Sequence, residues 1–270
     1  MMRKVISLVV VVTILHGCAT VPVTGRKQLS LVSSDEINAM AAQQYTEVIK
    51  KGPLSTNVEQ TEMVRRVGVR IQKAVEQYMA SKGSSSQLAG FKWEFNLIQD
   101  DKTVNAWCMP GGKVVVYSAL LPVTKDETGL AFVMGHEIAH AVARHGKERM
   151  SQMLLAQSGG IALDLALANK PAQTRSIFNT AYGVGTTVGV LLPYSRLQES
   201  EADKLGMIFM AMAGYDPRQA PAVWQRMMKI NTGEKPPEIL STHPAEDTRI
   251  DQLKEFMPEA LKYYKPVNSK

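Results

Sequence analysis

Residues 136–140 read His-Glu-Ile-Ala-His, which places two histidines four residues apart and a glutamate directly after the first. Residues four apart lie on the same face of a helix, so His136 and His140 can present two imidazoles to one metal ion. Glu137 then lies beside the metal without binding it directly, where its carboxylate can hold a metal-bound water molecule. A zinc hydrolase requires this arrangement, with Glu137 as its general base.

The segment around this pattern predicts a long helix. Residues 126–150 contain no proline, and their apolar side chains recur at the spacing of one helical face. We therefore expect an uninterrupted helix over residues 126–150 that carries both histidines.

A catalytic zinc site needs a third protein ligand and one position left open for water. The candidates are two further histidines and the acids of one short segment: His145, His243, Glu199, Glu201 and Asp203. On a helix Glu199 and Asp203 share one face, whereas Glu201 points elsewhere. Glu199 would then bind the metal and Asp203 would orient a ligand histidine through its free ring N–H. A solvated acidic helix face accounts for the same spacing.

The first residues predict export and lipid attachment. Arg3 and Lys4 precede an apolar run that is too short to span a bilayer, as in a secretory signal peptide. Residues 15–18 read Leu-His-Gly-Cys, which resembles the cleavage box of bacterial lipoproteins. We expect residues 1–17 to be the signal peptide and Cys18 to carry the lipid. An ordinary signal peptide or an uncleaved anchor is the alternative.

The predicted location is the bacterial cell envelope. Ala19 follows the cysteine, and in enteric bacteria a residue other than aspartate at this position directs a lipoprotein to the outer membrane. We expect a lipid anchor in that membrane, with residues 18–32 as a tether and the protein facing the periplasm. The formal net charge of +6 is mild, and no basic run is interleaved with aromatic residues. Nucleic acid is therefore not an expected partner.

The rest of the chain predicts an α+β domain, mostly helical with one small sheet. A capping box at residues 33–36 opens a helix, alternating apolar residues at 91–97 predict a strand, and residues 104–118 predict a hairpin. Residues 151–192 are rich in alanine, glycine and leucine, and are interpreted as core helices or as a lid over the site. Further helical patterns lie at 58–81, 195–213, 217–230 and 246–262.

Residues 133–145 and 199–203 resemble the paired motifs of one zinc metallopeptidase family. This family includes the CAAX prenyl proteases, the heat-shock protease HtpX, the mitochondrial Oma-type proteases, and the periplasmic proteins BepA and LoiP. The short, lipidated form expected for this chain most resembles LoiP. The similarity extends over residues 33–253 and includes the Thr242-His243-Pro244 stretch. It implies a gluzincin-type metallopeptidase domain, placed here at residues 33–265.

The resemblance also implies the roles of the motif residues. His136, His140 and Glu199 would bind one Zn²⁺ ion per chain, and Glu137 would act as general base and general acid. Asp203 would orient a ligand histidine from behind.

Two further roles come from the same resemblance. In BepA-like members the histidine at the position of His243 reaches the zinc, so His243 is expected to be a latch or a stabiliser of the oxyanion. Arg249 would support the same loop or steady the oxyanion. The strand that precedes the zinc helix would be an exposed edge that binds substrate by strand addition, through Val114, Val115 and Val116. A central core strand fits these three valines equally well.

The function expected from these features is zinc-dependent endopeptidase activity in the cell envelope. Its substrates would be unfolded or misassembled membrane and periplasmic proteins, because strand addition reads backbone more than side chains. The alternative is a chaperone-like factor for outer-membrane assembly with latent protease activity.

Overall fold

The structure is a computed structural model of the 270-residue chain. It describes residues 18–21, 24–158, 174, 177, 181, 195–230, 237–244 and 247–266. The signal peptide expected at residues 1–17 lies outside the described residues, as does most of the segment 151–192 that was interpreted as a lid.

Helices make up most of the described chain, which confirms the predicted α+β class. Nine α-helices lie in the described ranges: α1 Ser34–Lys51, α2 Val58–Ser81, α3 Leu121–Thr124, α4 Glu127–Val142, α5 His145–Ser158, α6 Arg196–Met212, α7 Ala220–Lys229, α8 Glu238–Thr242 and α9 Asp247–Leu261. Short 3₁₀ helices lie at Ser85–Leu88, Ser118–Leu120 and Pro217–Gln219.

Capping boxes fix the starts of two helices. Ser33 Oγ accepts a hydrogen bond from the backbone N–H of Glu36 at 3.2 Å, and the Glu36 carboxylate accepts one from the Ser33 N–H at 3.2 Å. The predicted capping box is thus confirmed, and it satisfies two helix-end donors at once. Ser195 and Gln198 form the same device at the start of α6, directly before Glu199.

Two small sheets are present among the described residues. The larger has the order β3 (Glu94–Ile98), β5 (Lys113–Tyr117) and β4 (Ala106–Met109), with β3 parallel and β4 antiparallel to β5. The predicted hairpin is confirmed, because β4 and β5 pair from Ala106 with Val116 to Met109 with Lys113. Gly111 and Gly112 lie in its turn with φ of 80° and 79°, a conformation that favours glycine.

The prediction that Val114, Val115 and Val116 form an exposed edge is wrong. These valines belong to β5, the central strand of the sheet, whose two sides are hydrogen-bonded to β3 and β4. All three side chains are fully buried. Val114 and Val116 pack in the cluster around α4, whereas Val115 faces the cluster around α1 and α5. A strand covered on both faces reads as an unbroken apolar run, which explains the three successive valines.

The single helix expected over residues 126–150 is divided. α4 ends at Val142, and α5 begins at His145 after a turn in which Arg144 has φ of 62°. A left-handed residue ends an α-helix and redirects the chain. Because of this turn, the side chain of His145 comes back against that of His140.

The amino-terminal segment is folded rather than merely extended. β1 (Cys18–Thr20) pairs antiparallel with β2 (Lys27–Leu29), and β2 packs against α5. We call residues 18–21 and 24–29, the described part of this segment, the amino-terminal hairpin. Among the described residues, no helix is both long enough and apolar enough to cross a membrane.

The core places the metal-binding motifs on a packed helix pair. α4 packs along α6, with α2 and strand β4 also against α4. Every residue of α4 from Gly129 to Val142 is buried. The two motifs that are far apart in the chain therefore meet in the interior.

Candidate metal centre

The two motif histidines face each other on α4. The Nε2 atoms of His136 and His140 lie 3.1 Å apart, and both side chains are buried. Burial lowers the pKa of His140 well below its usual value, so this ring is neutral, which is the form that binds a metal.

Glu199 enters the same space from the first turns of α6. Its Oε2 atom lies 3.5 Å from His136 Nε2, and its Oε1 atom lies 3.4 Å from His140 Nε2. Burial alone would raise the pKa of Glu199, but electrostatic interactions with His243 and Arg249 outweigh it and hold this pKa well below the usual value. The carboxylate is therefore ionised, as a zinc ligand must be.

His243 completes a group of four donors. It caps the short helix α8, and its Nδ1 atom lies 3.0 Å from Glu199 Oε1 and 3.3 Å from His136 Nε2. One ligand atom from each of these residues and His140 lies within 4.8 Å of the others.

The donor geometry fits one zinc ion. Tetrahedral zinc with nitrogen and oxygen ligands at about 2.0–2.1 Å places its ligand atoms about 3.3 Å apart. Five of the donor distances are 3.0–3.5 Å, and the four ligand atoms all lie within 4.8 Å of one another. Three imidazoles with one carboxylate are ligands that zinc prefers.

Asp203 lies directly behind His136, one helical turn after Glu199. Its Oδ1 atom is 2.9 Å from His136 Nδ1, on the side of the ring away from the other donors. This contact leaves Nε2 of His136 to face the metal position. The arrangement is the one that the resemblance implies for Asp203.

A buried arginine holds two of the three acids of α6. Arg249 donates to Asp203 through Nε and Nη2 at 2.8 Å each, and its Nη1 atom lies 2.7 Å from Glu199 Oε2. It also donates to the carbonyl of Pro244 at 3.0 Å, so it supports the loop that carries His243. Trp224 donates its indole N–H to Asp203 Oδ1 at 3.2 Å.

Glu137 lies at the edge of the donor group rather than inside it. Its Oε1 atom is 3.6 Å from His243 Nε2 and accepts no hydrogen bond from the described residues. Burial is the main cause that raises the pKa of this carboxyl. A buried acceptor with no protein donor beside a metal position is suited to holding a water molecule.

His145 and Glu201 lie behind the other ligand histidine. His145 is fully buried, with Nδ1 2.9 Å from His140 Nδ1 and Nε2 3.2 Å from Glu201 Oε2. Glu201 points away from the four donors, as helical spacing predicts. Arg26 of the amino-terminal hairpin reaches Glu201 with its Nε atom at 2.8 Å.

Sequence reasoning missed two contributors to this site. Trp224 and Arg26 carry no motif, and their contacts join segments 21 and 175 residues apart. His145 is a candidate ligand on the sequence, but the turn at Arg144 places its ring against His140, outside the group of four donors.

The fold and this site together define a zinc metallopeptidase domain. The family model described as Peptidase family M48 matches residues 68–257, which is most of the chain. The chain therefore belongs to peptidase family M48, and its similarity to the family that includes the Oma-type proteases and BepA is confirmed.

Relatives of known name agree with this assignment. The chain is 36% identical over 245 residues to "Mitochondrial metalloendopeptidase OMA1" of Schizosaccharomyces pombe, covering 89% of this chain and 66% of that protein. It is 36% identical over 201 residues to the protein of the same name in Arabidopsis thaliana, covering 74% of this chain and 39% of that protein. The "Beta-barrel assembly-enhancing protease" of Escherichia coli is 32% identical over 165 residues, covering 58% of this chain and 33% of that protein. The chain thus spans less than two thirds of the length of these relatives.

Proposed function

We propose that the whole protein is a zinc-dependent endopeptidase of the bacterial cell envelope that hydrolyses unfolded or misassembled proteins. The observation that carries the catalytic part is the buried group of His136, His140 and Glu199, with the unsatisfied carboxylate oxygen of Glu137 at its edge. Such a group costs free energy to bury, and a bound cation offsets that cost while supplying the chemistry of peptide hydrolysis.

Some residues of the site would bind the metal, and another would transfer protons. His136, His140 and Glu199 would hold a zinc ion, which would supply a water molecule of lowered pKa and would polarise the peptide carbonyl. Glu137 accepts the proton of the attacking water and delivers it to the leaving amine. Burial moves the pKa of Glu137 upward, towards the neutral range in which a general base is most effective.

His243 acts as a latch in this proposal. Its Nδ1 atom lies among the donors, and its Nε2 atom lies near Glu137. The imidazole therefore lies between the base and the ligands, where the water and the scissile carbonyl must bind. A zinc site with four protein ligands is closed, whereas catalysis needs an open position.

We place substrate pairing at β4 instead of β5. Among the described residues, β4 pairs with another strand on one side only, and it packs against α4. The backbone N–H of Ile239, in α8, donates to the carbonyl of Val104 at 3.4 Å, so the helix that ends at His243 begins beside this strand. A peptide added along β4 would run towards the metal centre.

The envelope location rests on the amino-terminal sequence. Residues 1–17 have the charged and apolar parts of a signal peptide, and Cys18 is suited to lipid attachment. The similarity to the Escherichia coli "Beta-barrel assembly-enhancing protease" supports an envelope role. The mitochondrial relatives support the peptidase activity only.

A chaperone-like assembly factor with latent protease activity is the second candidate. The observation that favours it is the position of His243, which completes a closed set of four donors. A protein that keeps its site closed would bind clients more often than it cleaves them.

The test is cleavage of casein by residues 19–270, with zinc content measured on each sample. Zinc-loaded wild type is expected to cleave, and Glu137→Gln is expected to retain zinc while losing at least about 100-fold in rate, because it lacks the base. Cleavage by Glu137→Gln at the wild-type rate would overturn the assigned base. If neither the wild type nor His243→Ala cleaves while both bind zinc, the assembly factor becomes the better proposal.

A further inference from the structure

Four polar side chains form a continuous line from the amino-terminal hairpin to a proposed zinc ligand. Arg26 Nε lies 2.8 Å from Glu201 Oε2, and the same oxygen lies 3.2 Å from His145 Nε2. His145 Nδ1 lies 2.9 Å from His140 Nδ1. We call these residues the His140 support chain.

The hydrogen-bonding capacity of each group determines which ring nitrogen of each histidine carries the hydrogen. An ionised carboxylate only accepts, so the hydrogen of a neutral His145 is on Nε2, facing Glu201. Nδ1 of His145 is then an acceptor, and His140 must donate to it from Nδ1. Nε2 of His140 is left with a lone pair, and this atom faces His136 and Glu199.

Glu201 is held as an acceptor from the hairpin side. Arg26 donates to it through Nε while its two Nη atoms each donate to Glu148 at 2.8 Å, and the Thr24 hydroxyl also donates to Glu201. A guanidinium that satisfies two carboxylates in one plane fixes both in orientation as well as in charge. Both acids come from helices next to the metal centre, α5 and α6.

The two ligand histidines of α4 are thus supported in different ways. His136 faces the Asp203 carboxylate directly, whereas His140 reaches the Glu201 carboxylate through a second imidazole. In both cases a carboxylate fixes the tautomer and the orientation of the ligand ring, which raises metal affinity.

We propose that His145, Glu201 and Arg26 are positioning residues for the zinc ligand His140, and that the amino-terminal hairpin is therefore a structural part of the metal centre. The inference rests on the proposed zinc site. It adds a role for two motif residues that do not belong to the donor group, His145 and Glu201, and one residue outside the motifs, Arg26. Thr24 and Arg26 of this hairpin, which the sequence alone indicates as part of a tether, hold the outer end of the support chain.

Zinc affinity is the quantity that tests this proposal. We would measure the zinc dissociation constant of the full chain by competition with a chromophoric chelator, for Glu201→Leu and for Glu148→Leu. Each glutamate accepts from Arg26 and each is 6% exposed. Glu201 lies 3.2 Å from His145 Nε2, whereas Glu148 accepts its other hydrogen bond from Gln198. Glu201→Leu is expected to weaken zinc binding about 10- to 100-fold, and Glu148→Leu less than about threefold.

A double-variant cycle separates positioning from a general loss of stability. His145→Phe removes the acceptor of the His140 N–H, so adding Glu201→Leu to it should cause no further loss of zinc affinity. If the two substitutions caused unrelated structural defects, their separate losses of zinc affinity would instead multiply. Arg26→Gln changes a partly exposed side chain at the outer end of the support chain. It should weaken zinc binding less than Glu201→Leu does, and it can replace that variant if Glu201→Leu does not fold.

The outcomes separate the support chain from the zinc site itself. Equal losses for Glu201→Leu and Glu148→Leu, or multiplying losses in the cycle, would overturn the positioning role while leaving the site intact. A wild type that binds no zinc would overturn the proposed site. Ring nitrogen NMR of the zinc-loaded wild type should show His140 protonated at Nδ1, and protonation at Nε2 would also overturn the chain.

Discussion

Gly206 lies so close to Gly135 that a Cβ atom on Gly206 would be 2.9 Å from the backbone nitrogen of His136 and 3.2 Å from the carbonyl carbon of Gly135. A Cβ atom on Gly135 would meet the backbone oxygen of Gly206 at 3.0 Å. Only glycine at both positions allows α4 and α6 to approach this closely. The approach sets the distance between the histidines of α4 and Glu199 of α6.

Gly206→Ala is therefore expected to damage the metal centre although it replaces none of the ligands. The added methyl group meets backbone atoms, which cannot rotate away, so the helices must separate at a cost of about 1–3 kcal/mol in the free energy of unfolding. Zinc affinity should fall with it. Urea unfolding and chelator competition measure the two effects, with Lys204→Ala on the exposed side of the same helix as the control. Unchanged zinc affinity in Gly206→Ala would contradict this role of the helix contact.

The sequence predicts the local parts of this site well. His136 and His140 share a face because helical periodicity is a local property, and the same holds for Glu199 and Asp203. The capping residues at the starts of α1 and α6 are readable for the same reason.

What the sequence does not reveal depends on packing between distant segments. The order of the strands is set by tertiary contacts, so the valines of β5 fit a central strand and an edge strand equally on composition. Arg144 has φ of 62° without a glycine or proline to mark the turn. The contact of Arg26 with Glu201 joins residues 175 positions apart, and no local pattern indicates it.

Removing zinc should destabilise the fold. A metal that binds only the native state at 100 to 1,000 times its dissociation constant adds about 2.7–4.1 kcal/mol to the free energy of unfolding. For a domain of this size that corresponds to a fall in Tm of roughly 5–16 °C on chelation. Scanning calorimetry with and without EDTA measures it. Glu199→Gln, which lacks a ligand charge, should show a much smaller response, and an equal response would count against Glu199 as a ligand.

His243→Ala should raise basal cleavage of casein. If the latch is closed in about nine molecules of ten, its removal raises the fraction of competent sites about tenfold. The measurement is the initial rate at matched zinc occupancy. Thr242→Ala is the control, because the Thr242 hydroxyl donates to backbone carbonyls of α8. A fall in rate of about 100-fold or more would show instead that His243 stabilises the transition state.

The stability of the zinc-free protein should depend on pH through Glu201. Burial alone would raise the pKa of this carboxyl, but hydrogen bonds with His145, Thr24 and Arg26 outweigh it and lower the pKa from its usual 4.5 to about 2. The unfolded chain therefore takes up this proton first as the pH falls. The stabilisation from Glu201 is fully present above about pH 4.5 and is lost as the pH falls towards 2.

Comparison of the wild type with Glu201→Gln isolates this contribution from those of the other acids. Urea unfolding of both zinc-free proteins at half-unit steps from about pH 6 to pH 3 should show a difference in stability that is constant at first and then shrinks below about pH 4.5. When Arg26→Gln is present in both proteins, the difference in stability caused by Glu201→Gln should shrink less as the pH falls. The reason is that Arg26→Gln removes one of the donors that lower the pKa of Glu201. A difference that stays constant over the whole range would mean that these contacts do not lower the pKa of Glu201 in the folded protein.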